Sequence, residues 1–71
     1  MEYFFSINIS TSEFLPYYQG KIQDIVVTTT QGKTLQFPAM HLRKYLIPTG
    51  IKGYFCLKTK NNKFLSLDKL A

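Results

Sequence analysis

Pro38 stands where an extended run must give way to a helix, and this junction constrains the fold more than any other position in the chain. It ends the run Thr34 to Phe37 and suits the first position of a helix, because the amide proton it lacks would find no partner there. Ala39, Leu42 and Leu46 then share a helical face, while His41 and Lys44 point elsewhere. Pro48-Thr49-Gly50 ends this short helix with a turn.

Patterns on either side of the junction are equally local. Residues 2 to 9 alternate, with Tyr3, Phe5, Ile7 and Ile9 on one side and Glu2, Phe4, Ser6 and Asn8 on the other, which predicts a half-buried strand. Ser10-Thr11-Ser12-Glu13 is a capping box ahead of Phe14, Leu15, Tyr17 and Tyr18. Pro16 limits that helix to a turn or two, and Gly20 is a natural stop. Lys21 to Thr30 is rich in β-branched residues and reads as a strand, joined to Thr34–Phe37 by a hairpin turn at Gln31-Gly32. Leu35 and Phe37 must face inward, against either Ile25 with Val27 or Ile22 with Val26, and a bulge would reconcile the two registers.

In the last strand pair, Ile51, Gly53, Phe55, Leu57 and Thr59 form the inward side, and Lys52, Tyr54, Cys56, Lys58 and Lys60 the outward side. A three-residue loop, Asn61-Asn62-Lys63, would set Leu57 opposite Leu67 and Thr59 opposite Leu65, favouring a hairpin with a bulge over a two-residue loop. The expected class is α+β, in the order β-α-β-β-α-β-β. Five short strands with tight hairpins predict a strongly bent antiparallel sheet or small open barrel plugged by two short helices; the alternative is a flat sheet with both helices on one face.

At 71 residues the chain is expected to form a single domain, 1–71, burying only roughly 60% of its unfolded surface. Five Tyr and six Phe supply the bulk that so small a core needs. Cys56 is the only cysteine, so no intrachain disulfide is available, and a reduced, cytoplasmic setting is expected. Glu2 stands where a secretory signal carries basic residues, and no apolar stretch approaches the roughly 20 residues of a membrane span, so no membrane insertion is expected.

Several separated segments resemble a family of short bacterial proteins of unknown function that runs through gammaproteobacteria. They are Tyr17-Tyr18-Gln19-Gly20, Leu35-Gln36-Phe37-Pro38-Ala39 with Leu42-Arg43, Gly50-Ile51-Lys52-Gly53-Tyr54-Phe55, and Phe64-Leu65-Ser66-Leu67. The similarity covers essentially the whole chain, through an F-P-A-x-x-L-R motif at 37–43 and a G-I-x-G-x-F motif at 50–55. Met40-His41 and Lys44 depart from typical members. The resemblance implies a bacterial, cytoplasmic, single-domain protein and carries over no reaction, cofactor or active site.

Charge is unevenly spread over a net +5. Lys21 and Lys33 against Glu2, Glu13 and Asp24 leave residues 1–40 at −1; Arg43, Lys44, Lys52, Lys58, Lys60, Lys63 and Lys69 against Asp68 leave residues 41–71 at +6. His41 and Cys56 are each alone of their kind and lack the further ligands of a zinc site, and the four carboxylates are scattered. Neither a cofactor nor an enzyme is therefore expected. The candidate site is a positive ridge of His41, Arg43 and Lys44 on one helical turn with Lys52, Lys58 and Lys60 on a nearby strand, and Tyr54 beside them. Such a ridge would dock an acidic protein surface or help the chain self-associate. The alternative is a nucleic-acid accessory protein in which Tyr54 stacks on bases, although no aromatic RNP run, Gly-rich phosphate loop or helix-turn-helix spacing is present. Phe4 and Tyr54, both on polar sides of their strands, would cover a second small cluster or belong to an interface.

Overall fold

A computed structural model describes all of residues 1–71. The elements are β1 (Glu2–Ile9), α1 (Thr11–Tyr18), β2 (Asp24–Thr28), β3 (Thr34–Pro38), a 3₁₀ helix η1 (Ala39–Tyr45), β4 (Ile51–Lys60) and β5 (Lys63–Lys69). The α+β class and the element order agree with the sequence reading, but the strands form two antiparallel sheets in place of one bent sheet or barrel. One sheet has three strands in the order β1-β4-β5, and the other is the β2-β3 hairpin. The physical reason lies in the connections: α1 carries the chain away from β1, and β3 runs straight into η1. No strand is left to join the hairpin to β4, and the link to β1 is the Thr30 amide donating to the Phe4 carbonyl at 2.8 Å.

Eleven buried residues fill the space between the sheets and helices, among them Phe5 and Ile7 of β1, Ile25 and Phe37 of the hairpin, and Phe55, Leu57 and Leu67 of β4 and β5. Phe5 joins the two layers, its ring 5.7 Å from Phe37 and 5.9 Å from Phe55. Burying each such ring stabilises the fold by about 1.5–3 kcal/mol. The β1 alternation holds as read, with Phe5 and Ile7 buried and Tyr3 and Ile9 packed at the margin.

The capping box is present: Ser10 Oγ accepts from the Glu13 amide at 3.1 Å, and the Glu13 carboxylate accepts from the Ser10 amide at 2.9 Å. The Ser10 amide, and then its hydroxyl, hold the Glu13 carboxyl below its ordinary range. Pro16 lies inside the helix, which continues to Tyr18. In the hairpin, Ile25 faces Phe37 and Val27 faces Leu35, the first of the two expected registers and without a bulge. Its turn is wider than Gln31-Gly32 alone: Thr29 and Lys33 close it, the Lys33 amide donating to Thr29 Oγ1 at 3.1 Å.

Asn61 and Asn62 both take positive φ, 54° and 63°, so β4 and β5 are joined by a two-residue turn and not the three-residue loop expected. Leu57 does face Leu67, but Thr59 faces Phe64, and Leu65 becomes the extra residue of a bulge in β5. Gly50 immediately precedes β4 against the end of β1, where a Cβ would stand 2.8 Å from the Ser10 Cα. Only glycine allows that backbone approach.

η1 differs from the expected α-helix in a way that shapes the surface. At three residues per turn, positions i and i+3 lie in line. Ala39, Leu42 and Tyr45 therefore form the inward row, and Tyr45 joins the expected Leu46 against the core, its ring edge-on to Phe55 at 5.2 Å and its hydroxyl donating to the Leu67 carbonyl at 2.7 Å. Pro38 caps η1 from the end of β3 and is not its first residue. No helix is long and apolar enough to cross a membrane.

Candidate functional site

The same 3₁₀ spacing sorts the helical cations into two rows. Met40 and Arg43 are in line, as are His41 and Lys44. Met40 and Arg43 line a cleft of about 520 Å³ whose other wall is the end of α1 and the segment leading to β2, including Tyr18, Gly20, Ile22 and Asp24. Across η1, all four residues border a second groove of about 440 Å³ against β5, walled by Phe64 to Asp68. Met40 and Arg43 thus form a ridge between two depressions.

Arg43 is fixed in place. Its Nη2 donates to the Tyr18 carbonyl at 2.9 Å, and its guanidinium lies over the Tyr18 ring, 4.5 Å from the centroid. α1 has no basic residue in its own last turn, so Arg43 supplies the positive group that the carbonyl end of the helix favours. His41 stacks on Phe64, ring centroids 3.8 Å apart and planes 8° from parallel. The β5 bulge changes the register at this end of the strand pair and brings Phe64, in place of Leu65, opposite Thr59 on the inward side. Lys44 leans over Tyr45, 5.2 Å from the ring centroid.

Sequence reasoning missed the apolar part of this face. Met40 is 66% exposed, Leu65 58%, Tyr18 48% and Ile22 46%, and they border the two depressions. The available signal was Met40 on the polar side of an amphipathic helix, together with Ile22 in a segment read as strand that lies outside β2.

The expected single ridge is not assembled. Lys52, Tyr54, Lys58 and Lys60 lie on β4 positions that alternate with core residues Ile51, Phe55 and Leu57, on the side of the three-stranded sheet away from η1. Lys52 and Lys60 are at opposite ends of that strand, about 26 Å apart at the usual strand rise. Lys58 pairs with Glu2 across the strands at 3.7 Å, both side chains about half exposed. The expected site cations divide between a helical face holding His41, Arg43 and Lys44 and a sheet face holding Lys52, Lys58 and Lys60.

On the sheet face, Phe4 and Tyr54 stack with ring centroids 6.2 Å apart and planes 15° from parallel. Both are half-buried, and Cys56 beneath them is 3% exposed, so a small second cluster does exist on this side. Burial, and then the Glu2 and Asp68 carboxylates against an opposing Lys58, push the Cys56 thiol up from its ordinary range. It is a packing residue and a poor nucleophile at neutral pH. No three His, Cys, Asp or Glu side chains come together in a way that would hold a metal ion.

A family model described as a protein of unknown function, DUF2835, matches residues 1–70. The chain belongs to this family. No curated protein and no solved structure matches it significantly. Two of the segments on which the family resemblance rests, Tyr17 to Gly20 and the Pro38 and Arg43 positions, meet in the cleft beside α1. The family description brings no chemistry to that cleft, so its use must be argued from its side chains.

Proposed function

We propose that this protein is a non-enzymatic interaction module that docks an acidic, apolar-bearing segment of a partner protein along η1. The observation that carries this reading is the side-by-side arrangement of large exposed apolar chains and cations on one short helix. Met40, Tyr18, Ile22 and Leu65 offer apolar contact, while Arg43 and Lys44 offer charge. Aromatic, Met and Arg side chains are the types enriched at interface centres. Arg43 is already held by Tyr18, so less freedom is lost when it meets a carboxylate. A two-fold dimer through this face would set Arg43 and Lys44 against their own copies, which favours an acidic partner over self-association.

Short labelled peptides combining Glu with Leu or Phe should bind, and Lys44→Glu and Met40→Asp should each weaken binding by about tenfold. Both side chains are exposed, so the fold should survive the substitutions. Unchanged affinity in both variants would overturn the assignment. So would sedimentation showing that the helical face is buried in a dimer.

A further inference from the structure

We infer that the solvent-facing side of the three-stranded sheet is a separate binding site for single-stranded nucleic acid, with Phe4 and Tyr54 as the stacking pair and lysines as phosphate contacts. The inference rests on placement. Strand alternation sets Phe4 on the same side as Glu2, Ser6 and Asn8, and Tyr54 between Lys52 and Cys56 on the adjoining strand. Large rings on the wet side of a sheet call for an explanation, and their neighbours on that side, Glu2, Ser6, Asn8, Lys52 and Lys58, are all exposed. Their planes are 15° from parallel, and both rings keep part of their surface in water. A base has a π-face of either kind to offer, so such a pair accepts any sequence.

The charges on this face suit a phosphate backbone. Lys58, Lys60 and Lys63 cluster where β4 turns into β5, and Lys52 stands at the far end of β4. A strand crossing the sheet would meet lysine, then rings, then lysine. Two carboxylates oppose this, Asp68 on β5 opposite Cys56 and Glu2 on β1, but Asp68 is exposed, and the pairing of Glu2 with Lys58 is long, at 3.7 Å, with both partners solvated. An arriving phosphate can replace the Glu2 carboxylate at small cost. The face also contains none of the three depressions in the surface, which lie beside η1 and the hairpin. An open sheet with central rings suits splayed bases, whereas a duplex hides its base faces in the stack.

The test is fluorescence anisotropy of the whole protein with labelled oligo(dT) and oligo(U) at low salt, against a duplex of mixed sequence. Binding should prefer the single strands and weaken with salt, log K falling with a slope of about −3 if four lysines each meet a phosphate. Replacing both rings, in Phe4→Leu with Tyr54→Leu, keeps apolar cover over Cys56 but removes stacking, and should cost about tenfold or more in affinity. Glu2→Gln should tighten binding by freeing Lys58, Lys60→Glu should weaken it, and Lys44→Glu on the other face should leave it unchanged. No binding at low salt overturns the assignment. Equal affinity for duplex, equal competition by polyglutamate, or loss of binding in Lys44→Glu would overturn it as well. If the ring variants unfold, the Glu2 and Lys60 variants decide alone, and unchanged affinity in both refutes the site. The helical-face reading stands or falls separately, on peptides.

Discussion

The helical face and the sheet face carry similar charge but hold it by different means. On the sheet face, backbone pairing sets each position, and side chains follow by alternation from the β1–β4 register. On the helical face, Arg43 is fixed by a bond to Tyr18, a residue 25 positions earlier, and His41 by a stack on Phe64. One surface is ordered by backbone pairing between strands and the other by side-chain packing between elements. Damage to shared elements should therefore erase both faces, whereas damage to η1 should erase only one.

The most severe test of that contrast is Gly50→Ala. Its Cβ would collide with the backbone at Ile9 and Ser10, which belongs to the β1–β4 seam and has no side chain to move aside. The expected loss is about 4 kcal/mol or more, comparable with the whole stability of a domain this size. Circular dichroism should show an unfolded chain, with both binding activities gone. Leu42→Ala comes next. Leu42 is fully buried beneath η1, and truncation should cost about 2–5 kcal/mol by denaturant titration. If the two faces are held as described, amide exchange should accelerate in η1 and α1 more than in β1 and β4. Uniform acceleration would break the comparison.

Arg43→Ala is milder. It removes one charged hydrogen bond and a cation–π contact at the surface, together worth about 1 kcal/mol. Peptide binding should fall by more than stability does, and oligonucleotide binding should not change. A variant that lost both activities while remaining folded would join the faces into one site.

The same contrast explains what could be read from the sequence. The β1 alternation, the capping box at Ser10, the inward β4 residues and the Leu57–Leu67 pairing are all local signals, and the structure keeps them. The positions misread are those where a single residue of offset matters. Three residues per turn in place of 3.6 brought Tyr45, which the pattern had not placed inward, against the core beside Leu46, and one extra residue in β5 exchanged Leu65 for Phe64 opposite Thr59. The ridge failed for a more general reason. Alternation tells which residues share a side of a strand, but not on which side of the sheet a later-packed helix will lie. Lys52 and Arg43 were placed together because they are near in sequence, and the sheet separates them.

The smallest expected effects separate the two regions by pH. On the α1 side, Glu13 is held below its ordinary range by the Ser10 amide and hydroxyl. A depressed carboxyl adds stability above its unfolded value and loses it as the pH falls through the folded one, so acid should loosen the cap of α1 first. On the sheet side, Cys56 is raised from its ordinary 9.0 by burial, with the Glu2 and Asp68 carboxylates adding to it. A raised thiol contributes fully below its unfolded value and loses that contribution as the pH climbs through the folded one. Alkali should therefore weaken the Phe4, Tyr54 and Cys56 cluster. Glu13→Gln should flatten the acid limb of a stability profile and leave the alkaline limb alone, while Cys56→Ala should do the reverse. If either substitution moved both limbs, the sheet cluster and the helix cap would be one cooperative unit, and the division between the faces would be one of surface only.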